Sequence, residues 1–320
     1  MKLRVLSLFS GIGAFEKALT NLGVDYELVG FCEIDKYAAQ AYCAVHGVSE
    51  DLNLKDVRAI DTSKLHDIDL ITYGFPCQDI SQAGKQKGFT DTDGNLTRSG
   101  LFFEALRIIN DLKPAYAIAE NVKALTSKKF EREFEIVRSS LNEAGYNNYT
   151  KVLNASDFGI PQNRERVFIV SIRKDIDDYS FNFPAGGVLA KCLYDFLEHE
   201  VDESFYKTDE KSLALIKKLQ QEGYEPYPSK NILQVGNIAA EKTFKNPQIG
   251  RVYAPEGIAP TLNCCGGGDR QVKIVENKLI VLGIFNGYAH NKILDGRGIS
   301  QCLAARDYKD PIRVAVWSAE

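Results

Sequence analysis

The sequence predicts a doubly wound α/β sheet followed by a second, smaller β-rich domain. Three observations carry that prediction. Short apolar runs alternate with amphipathic stretches to about residue 175, the pattern of strands joined by helical crossovers. The first run ends in glycines and passes into a helix, the strand–turn–helix unit that opens a nucleotide-binding sheet. From Val188 the character changes, and short strands punctuated by glycine carry an internal repeat. We therefore expect a catalytic domain over 1–188, a helical connector over 189–230 and a repeat-bearing domain over 231–320.

Composition narrows the class. The chain has 320 residues, enough to bury a large core, with 44% hydrophobic and 26% charged residues, ordinary for a soluble globular protein. Met1-Lys2-Leu3-Arg4-Val5 leads directly into an apolar strand without a signal-peptide pattern, and no stretch reaches the roughly 18 apolar residues of a membrane span. The expectation is a cytoplasmic protein with no membrane partner. Seven cysteines without a CxxC pair, and only four histidines, argue for reduced thiols and against a disulfide framework or a metal site. The net charge of −4 hides a split: twelve Lys/Arg against eight Asp/Glu from Pro226 onward, but five against nine over Leu189–Glu225. A mildly basic C-terminal region is compatible with phosphate contact.

In chain order, Leu3–Phe9 reads as a buried strand, Ser10-Gly11-Ile12-Gly13 as a turn, and the stretch to Leu22 as a helix. Glu16 stands where a full G-x-G-x-x-G would need glycine, so a pyrophosphate at the helix start would meet a carboxylate. Tyr26–Glu33 is the second strand. Glu33 at its end suits ribose hydroxyls, and Asp35 suits the start of a helix over Lys36–His46. Asp56 and Val57 are placed to meet an adenine edge. Ile68–Tyr73 is a third strand, stopped by Gly74 and Pro76, so Cys77 and Gln78 fall on a loop at a strand's carboxyl end. The twenty residues that follow lack periodicity, and their glycines and lysines (Lys85, Lys87) read as a lid over an anionic polymer. Leu101–Leu112 is a helix, Tyr116–Val122 a strand delivering Glu120 and Asn121, and Phe130–Ala144 a helix with Gly145 as its cap. Strands near Tyr149–Leu153 and Val167–Ile172 flank Pro161-Gln162-Asn163-Arg164-Glu165-Arg166. Residues 189–225 read as helical and acidic. The repeat pairs Val252–Leu262 with Ile293–Leu303, a shift of 41 residues, and each copy leads into a strand, Gln271–Val275 or Pro311–Val316.

Together, Phe9-Ser10-Gly11-Ile12-Gly13, Gly74-Phe75-Pro76-Cys77-Gln78 with Ser81, Gly84–Phe89, Gly100–Glu104, Glu120-Asn121-Val122 and Gln162–Arg166 resemble the cytosine-C5 methyltransferases that use S-adenosylmethionine. The likeness spans roughly residues 3–172, and the second half looks like the target-recognition region of bacterial and phage members. It implies a Rossmann-like sheet, S-adenosylmethionine as cofactor and double-stranded DNA as partner. It also implies base flipping, since C5 and C6 of a paired cytosine lie inside the stack.

By the same resemblance, Cys77 is the thiolate that adds to C6 and turns C5 into a nucleophile. Glu120 acts at N3 and needs a raised pKa. Arg164 and Arg166 supply positive charge to the thiolate and grip the target nucleotide. Phe9, Ser10, Gly11, Gly13, Glu33, Ile34, Asp56, Val57, Phe75, Leu101 and Asn121 form the cofactor pocket. Gln78, Ser81, Lys85, Lys87, Thr261, Leu262 and Arg270 meet DNA. Two departures stand out: Ser7 replaces an aspartate common in the family, and no Arg-Leu-Thr-Pro-like or Gly-Asn-Ser-Val-like segment follows Leu303. The second suggests a partner polypeptide that completes the cofactor pocket, and a cognate restriction endonuclease is a further expected partner. The alternatives are a tRNA cytosine-5 methyltransferase, whose Cys-Phe-Thr signature is missing, a silent DNA-binding module, and an NAD-dependent oxidoreductase.

Overall fold

Strand β1 (Leu3–Leu8) has its last four residues buried, and Val5, Leu6 and Leu8 lose essentially all their exposure. Continuous burial of this kind marks a strand covered on both faces. The computed structural model describes residues 2–76, 98–198, 206–224, 228–239, 246–262, 271–276, 279–282, 293–295 and 313–315. Cys77, Gln78, Ser81, Lys85, Lys87 and Arg270 lie outside the described residues, as does nearly all of the expected lid. The chain divides into two compact units, Met1–Leu153 with Glu165–Pro184, and Asn154–Arg164 with Ala185–Glu320.

The first unit is built on a six-stranded sheet. Its strands are β1, β2 (Tyr26–Cys32), β3 (Leu70–Tyr73), β4 (Tyr116–Val122), β5 (Tyr146–Asn154) and β6 (Glu165–Arg173), in the order β2-β1-β3-β4-β6-β5. β1 pairs in parallel with β2 and β3, and β3 with β4. β6 runs antiparallel to β4, so it starts where β4 ends, with Arg166 opposite Val122. The order reverses at β1, whose neighbours on its two sides are the next strands in sequence. That reversal opens a crevice at the carboxyl ends of β1 and β3.

The helices are α1 (Ala14–Asn21), α2 (Lys36–His46), α3 (Phe102–Leu112) and α4 (Glu131–Glu143). Asp35 caps α2 by accepting the Tyr37 and Ala38 N–H groups at 2.9 Å, and Gly47 in the left-handed region (φ 64°) ends it. Both are the expected chemistry of helix ends. Phe102, Ala105, Ile108 and Ile109 form the buried stripe of α3. They join Leu6, Leu8, Ile71, Tyr73, Phe75, Ala117 and Ala119 in one core.

The second unit holds α5 (Glu210–Gln221) and the strands β7 (Tyr206–Lys207), β8 (Gln234–Asn237), β9 (Arg251–Tyr253), β10 (Lys273–Glu276) and β11 (Leu279–Leu282). They form a five-stranded sheet in the order β7-β11-β10-β9-β8. β12 (Ile293–Asp295) and β13 (Arg313–Ala315) form a separate pair. Each copy of the 41-residue repeat thus contains one parallel pair, β9 with β10 and β12 with β13. Among the described residues of 189–225, the expected long helical stretch is corrected. The α-helix is confined to Glu210–Gln221, capped by Asp209 through the Ser212 N–H, and Tyr206–Lys207 is drawn into the sheet by pairing with β11. Tertiary pairing overrides a composition that reads as helical. No helix among the described residues is long and apolar enough to cross a membrane.

Ile108 tests the account of the first core. It is wholly buried, so Ile108→Ala is expected to lower unfolding free energy by about 2–5 kcal/mol. Urea denaturation against Ile108→Val, which keeps most of the volume, reads this. A cost within error of the valine variant contradicts the packing.

Candidate active site

The turn after β1 is shaped by backbone that ordinary residues avoid. Phe9 (φ 54°), Gly11 (φ 56°) and Gly13 (φ 79°) all sit in the left-handed region. That is unusual for a bulky aromatic residue, and such outliers gather at binding sites. The two glycines serve different ends. A Cβ on Gly11 would meet open space, so its face is free for a ligand. A Cβ on Gly13 would run into the His46 and Tyr42 side chains. His46 lies at the end of α2, with Nε2 3.0 Å from the Ile12 carbonyl, and continues an aromatic stack from Phe31 through Tyr42.

The end of β2 holds the turn from the side. The Gly11 N–H donates to Glu33 Oε2 at 2.9 Å, and the Asp35 N–H donates to Glu33 Oε1 at 2.8 Å. A carboxylate has about four acceptor positions, so two remain for the hydroxyls of a ribose. Burial pushes the Glu33 carboxyl above its ordinary range, and the Asp35 and Gly11 N–H groups partly offset this. Ser10 differs from a simple ligand contact: its hydroxyl donates toward the Ser7 and Cys32 carbonyls and accepts the Cys32 N–H at 3.1 Å. It ties the turn to β2. Ile34 is 70% exposed, an apolar surface free to lie against a base. Glu16 lies in the first turn of α1 as expected, but its carboxylate is buried, taking a hydrogen bond from Thr72 Oγ1 at 3.4 Å, and does not face a ligand at the turn. The open face of Gly11, the Glu33 acceptor and exposed Ile34 fit the adenosine part of S-adenosylmethionine.

The remaining predicted pocket residues are partly spoken for. Asp56 caps the turn after it through the Arg58 N–H and is clasped by the Arg58 guanidinium, with contacts down to 2.6 Å. These bonds hold its carboxyl below the usual range. Val57 and Phe75 are buried, and Phe75 stacks between Tyr73 and Phe102; Leu101 packs against the same core.

The end of β4 brings the reactive candidates together. Glu120 Oε1 lies 3.0 Å from Arg166 Nε, an ion pair with both side chains largely covered. Arg166 also donates from Nη1 to the Glu165 carbonyl at 2.8 Å. The Asn121 side chain is buried and spans two elements. Its Nδ2 lies 3.4 Å from the Phe75 carbonyl, while Oδ1 accepts the Val122 N–H at 2.7 Å. A Cβ on Gly74 would stand 3.8 Å from Glu120 Oε2. Glu120, Asn121, Arg166 and the Gly74-Phe75-Pro76 segment that leads to Cys77 therefore meet at one edge of the sheet. Arg164 belongs to the second unit, where its N–H donates to Asn154 Oδ1 at 2.9 Å. Thr261 and Leu262 are in that unit too, and the Thr261 hydroxyl donates to the Asn163 carbonyl at 2.5 Å.

Sequence reasoning missed three supporting residues. Asn53 accepts the Glu33 N–H and returns a bond to the Glu33 carbonyl, from twenty residues away and without any spacing signal. Asn154 brackets Asn163 and Arg164 in the same way. His46 was discoverable, because it shares a helix face with Tyr42 four residues earlier. Among the described residues no group of His, Cys, Asp and Glu could hold a metal ion.

A family model described as C-5 cytosine-specific DNA methylase matches residues 3–275. The chain is 35% identical to the orphan methyltransferase M.SPBetaI of Bacillus phage SPbeta, covering 92% of this chain and 79% of that one. It is also 35% identical to the type II methyltransferase M.HhaI of Haemophilus parahaemolyticus, covering 83% of this chain and 75% of that one. Among solved structures, the Entamoeba histolytica methyltransferase EhMeth is similar at a TM-score of 0.61 and 14% identity, over 88% of this chain and 83% of that one. The S. pombe Dnmt2 methyltransferase is similar at a TM-score of 0.54 and 20% identity, over 87% and 77%. At such identities the structures speak to the fold alone.

Cys32 offers a test of the pocket floor. It is buried and donates to the Lys55 carbonyl; burial, then the charges of Glu33 and Asp56, push its thiol up to about 12. A thiol so raised stays neutral at pH 8–9, and only the thiolate reacts readily. Mass mapping after iodoacetamide at pH 8.5 is expected to leave Cys32 unmodified in the folded chain and fully modified in urea. Rapid modification of the folded chain would contradict the geometry.

Proposed function

We propose a mechanism for this chain on the premise that it belongs to the C-5 cytosine-specific DNA methylase family: it is a DNA (cytosine-5) methyltransferase and takes its methyl group from S-adenosylmethionine. The observation that carries the mechanism is the meeting of Glu120, Arg166, Asn121 and the Gly74–Pro76 segment at one sheet edge. The adenosine side of the site is the turn at Gly11 with Glu33 and Ile34. Glu33 accepts from the ribose hydroxyls, and Asp56 and Val57 flank the adenine.

In our reading Cys77 attacks C6 of a cytosine flipped out of the duplex. The new S–C6 bond takes the electron pair of the thiolate, and the C5–C6 double bond opens so that electron density collects at C5. Glu120 hydrogen-bonds or protonates N3 and relieves the charge built up there. Arg166 fixes the Glu120 carboxyl, and Asn121 ties the end of β4 to the backbone just before Cys77, so nucleophile and acid are set by adjacent strands. S-adenosylmethionine, when bound, supplies an electrophilic methyl group on a sulfonium. Once C5 carries the methyl, a base removes the C5 proton, the C5–C6 double bond returns and Cys77 leaves as thiolate. Gln78 and Ser81 contact the nucleotide or the gap it leaves. Lys85 and Lys87 are proposed to reach phosphate, and Leu262 and Arg270 to serve target recognition.

Likeness to proteins named type II and orphan phage methyltransferases supports a setting in restriction–modification or phage DNA protection, in the cytoplasm, with a cognate endonuclease in the first case.

Two experiments test it. A duplex carrying 5-fluorocytosine blocks the last elimination, so wild type with S-adenosylmethionine is expected to form a denaturation-stable adduct and Cys77→Ser none. An adduct that survives the substitution removes Cys77 from its role. For the cofactor, the ionised Glu33 carboxylate is the stronger acceptor. Because its pKa is raised, S-adenosylmethionine affinity should fall as pH drops through that raised value. Glu33→Gln should flatten this dependence and weaken binding by about one to two orders of magnitude, by calorimetry. An unchanged pH profile would overturn the assignment.

A further inference from the structure

The loop that presents Arg164 is stitched to the segment carrying Thr261 by a short parallel ladder within the second unit. The Ala259 N–H donates to the Pro161 carbonyl at 2.8 Å, and the Asn163 N–H donates to the Ala259 carbonyl at 2.8 Å. These are the two bonds of a parallel bridge between Gln162 and Ala259. Bonds in a parallel ladder are evenly spaced, so the next would run from the N–H of residue 261 to the carbonyl of residue 163. At that place the donor is instead the Thr261 hydroxyl, 2.5 Å from the Asn163 carbonyl. The side chain replaces a rung of the ladder.

The other side of the loop is fixed as well. Asn154 Nδ2 donates to Asn163 Oδ1 at 2.8 Å, and Asn154 Oδ1 accepts the Arg164 N–H at 2.9 Å. Gln162 is buried, and its N–H and carbonyl close tight turns with Ile160 and Arg164. The 161–164 loop therefore has few ways to move except by breaking the bonds to residues 259–261. The opposite strand of this clamp is equally tied: the Ile258 N–H donates to the Asn231 carbonyl at 3.0 Å, and a Cβ on Gly257 would crowd that same carbonyl and Leu233.

We propose that Thr261 is a positioning residue: its hydroxyl holds the Asn163 carbonyl and so sets the backbone from which Arg164 reaches the target nucleotide. It is not spent on DNA. Movement of the recognition segment is thereby passed to the arginine, coupling site recognition to attack on the base. The inference rests on the proposed methyltransferase reading, in which Arg164 grips the target nucleotide as the family resemblance implies, and it revises the direct DNA contact expected for Thr261.

Thr261 is exposed, so its replacement leaves the core intact. The full chain is compared as wild type, Thr261→Val, which keeps the shape without the hydroxyl, and Thr261→Ser, which keeps the hydroxyl. The probe is a pool of 5-fluorocytosine duplexes, with the adduct rate at saturating DNA and the duplex affinity with its salt dependence read separately. Thr261→Val is expected to slow adduct formation about tenfold or more, with affinity and salt slope unchanged, and Thr261→Ser to recover most of the rate. Asn154→Ala, which loosens the same loop from its other side, should reproduce the valine signature. Weaker duplex binding with a shallower salt slope and an intact rate would overturn the proposal in favour of a phosphate contact. No change in either quantity would overturn it as well. A wild-type chain without adduct formation would instead defeat the underlying reading, and is distinguishable from both.

Discussion

The site depends on one constraint, the parallel register of β1 with its two neighbours. Leu8 pairs with Cys32 of β2 and with Tyr73 of β3, and Tyr73 pairs with Ala119 of β4. Four strand ends therefore arrive at one edge: the glycine turn, Glu33, the segment toward Cys77, and Glu120 with Asn121. β6 contributes Arg166 to this edge because it alone runs antiparallel to β4, so its first residues lie beside the last of β4. A one-residue slip of any of these strands would move its end by about 3.3 Å and turn its side chains to the other face. The buried apolar residues along all four strands hold the register against that slip.

A layered set of supports converts register into geometry. The first is backbone strain in the turn, where Phe9 takes a left-handed conformation and Gly13 leaves room for His46 and Tyr42. The second is the reciprocal bonding of Glu33 with Gly11, Asp35 and Asn53, which presents a carboxyl already oriented before a ligand arrives. The third is the Glu120–Arg166 pair, more covered than a surface ion pair and hence less screened by salt. Each reduces the freedom of a group that the proposed mechanism uses.

Much of the first unit was legible in the sequence for identifiable reasons. The run Lys36–His46 has a capping acid before it and a glycine after it, and the helix occupies that run. Tyr116–Val122 follows the helix stop at Pro114 and opens on an apolar run, and the strand matches it. The orientation of Glu16 was not legible, because sequence shows that a carboxylate follows the turn but not which way the helix faces it. It lies inward toward Thr72. The stretch before α5 misled for a different reason: Tyr206 and Lys207 belong to a sheet whose partner strand comes more than seventy residues later. Long-range hydrogen bonds of this type, like those of Asn53 and Asn154, leave no local periodicity to read.

We propose that this chain methylates cytosine in DNA through Cys77. The most direct measurement incubates the chain with methyl-labelled S-adenosylmethionine and either unmethylated plasmid duplex or tRNA, then digests to nucleosides and identifies the labelled species by mass spectrometry. Labelled 5-methyl-2′-deoxycytidine is expected from the duplex with the wild type, none with Cys77→Ala, and none from tRNA. Label in tRNA cytidine, or a cofactor-binding chain that leaves duplex DNA unlabelled, would contradict the proposal.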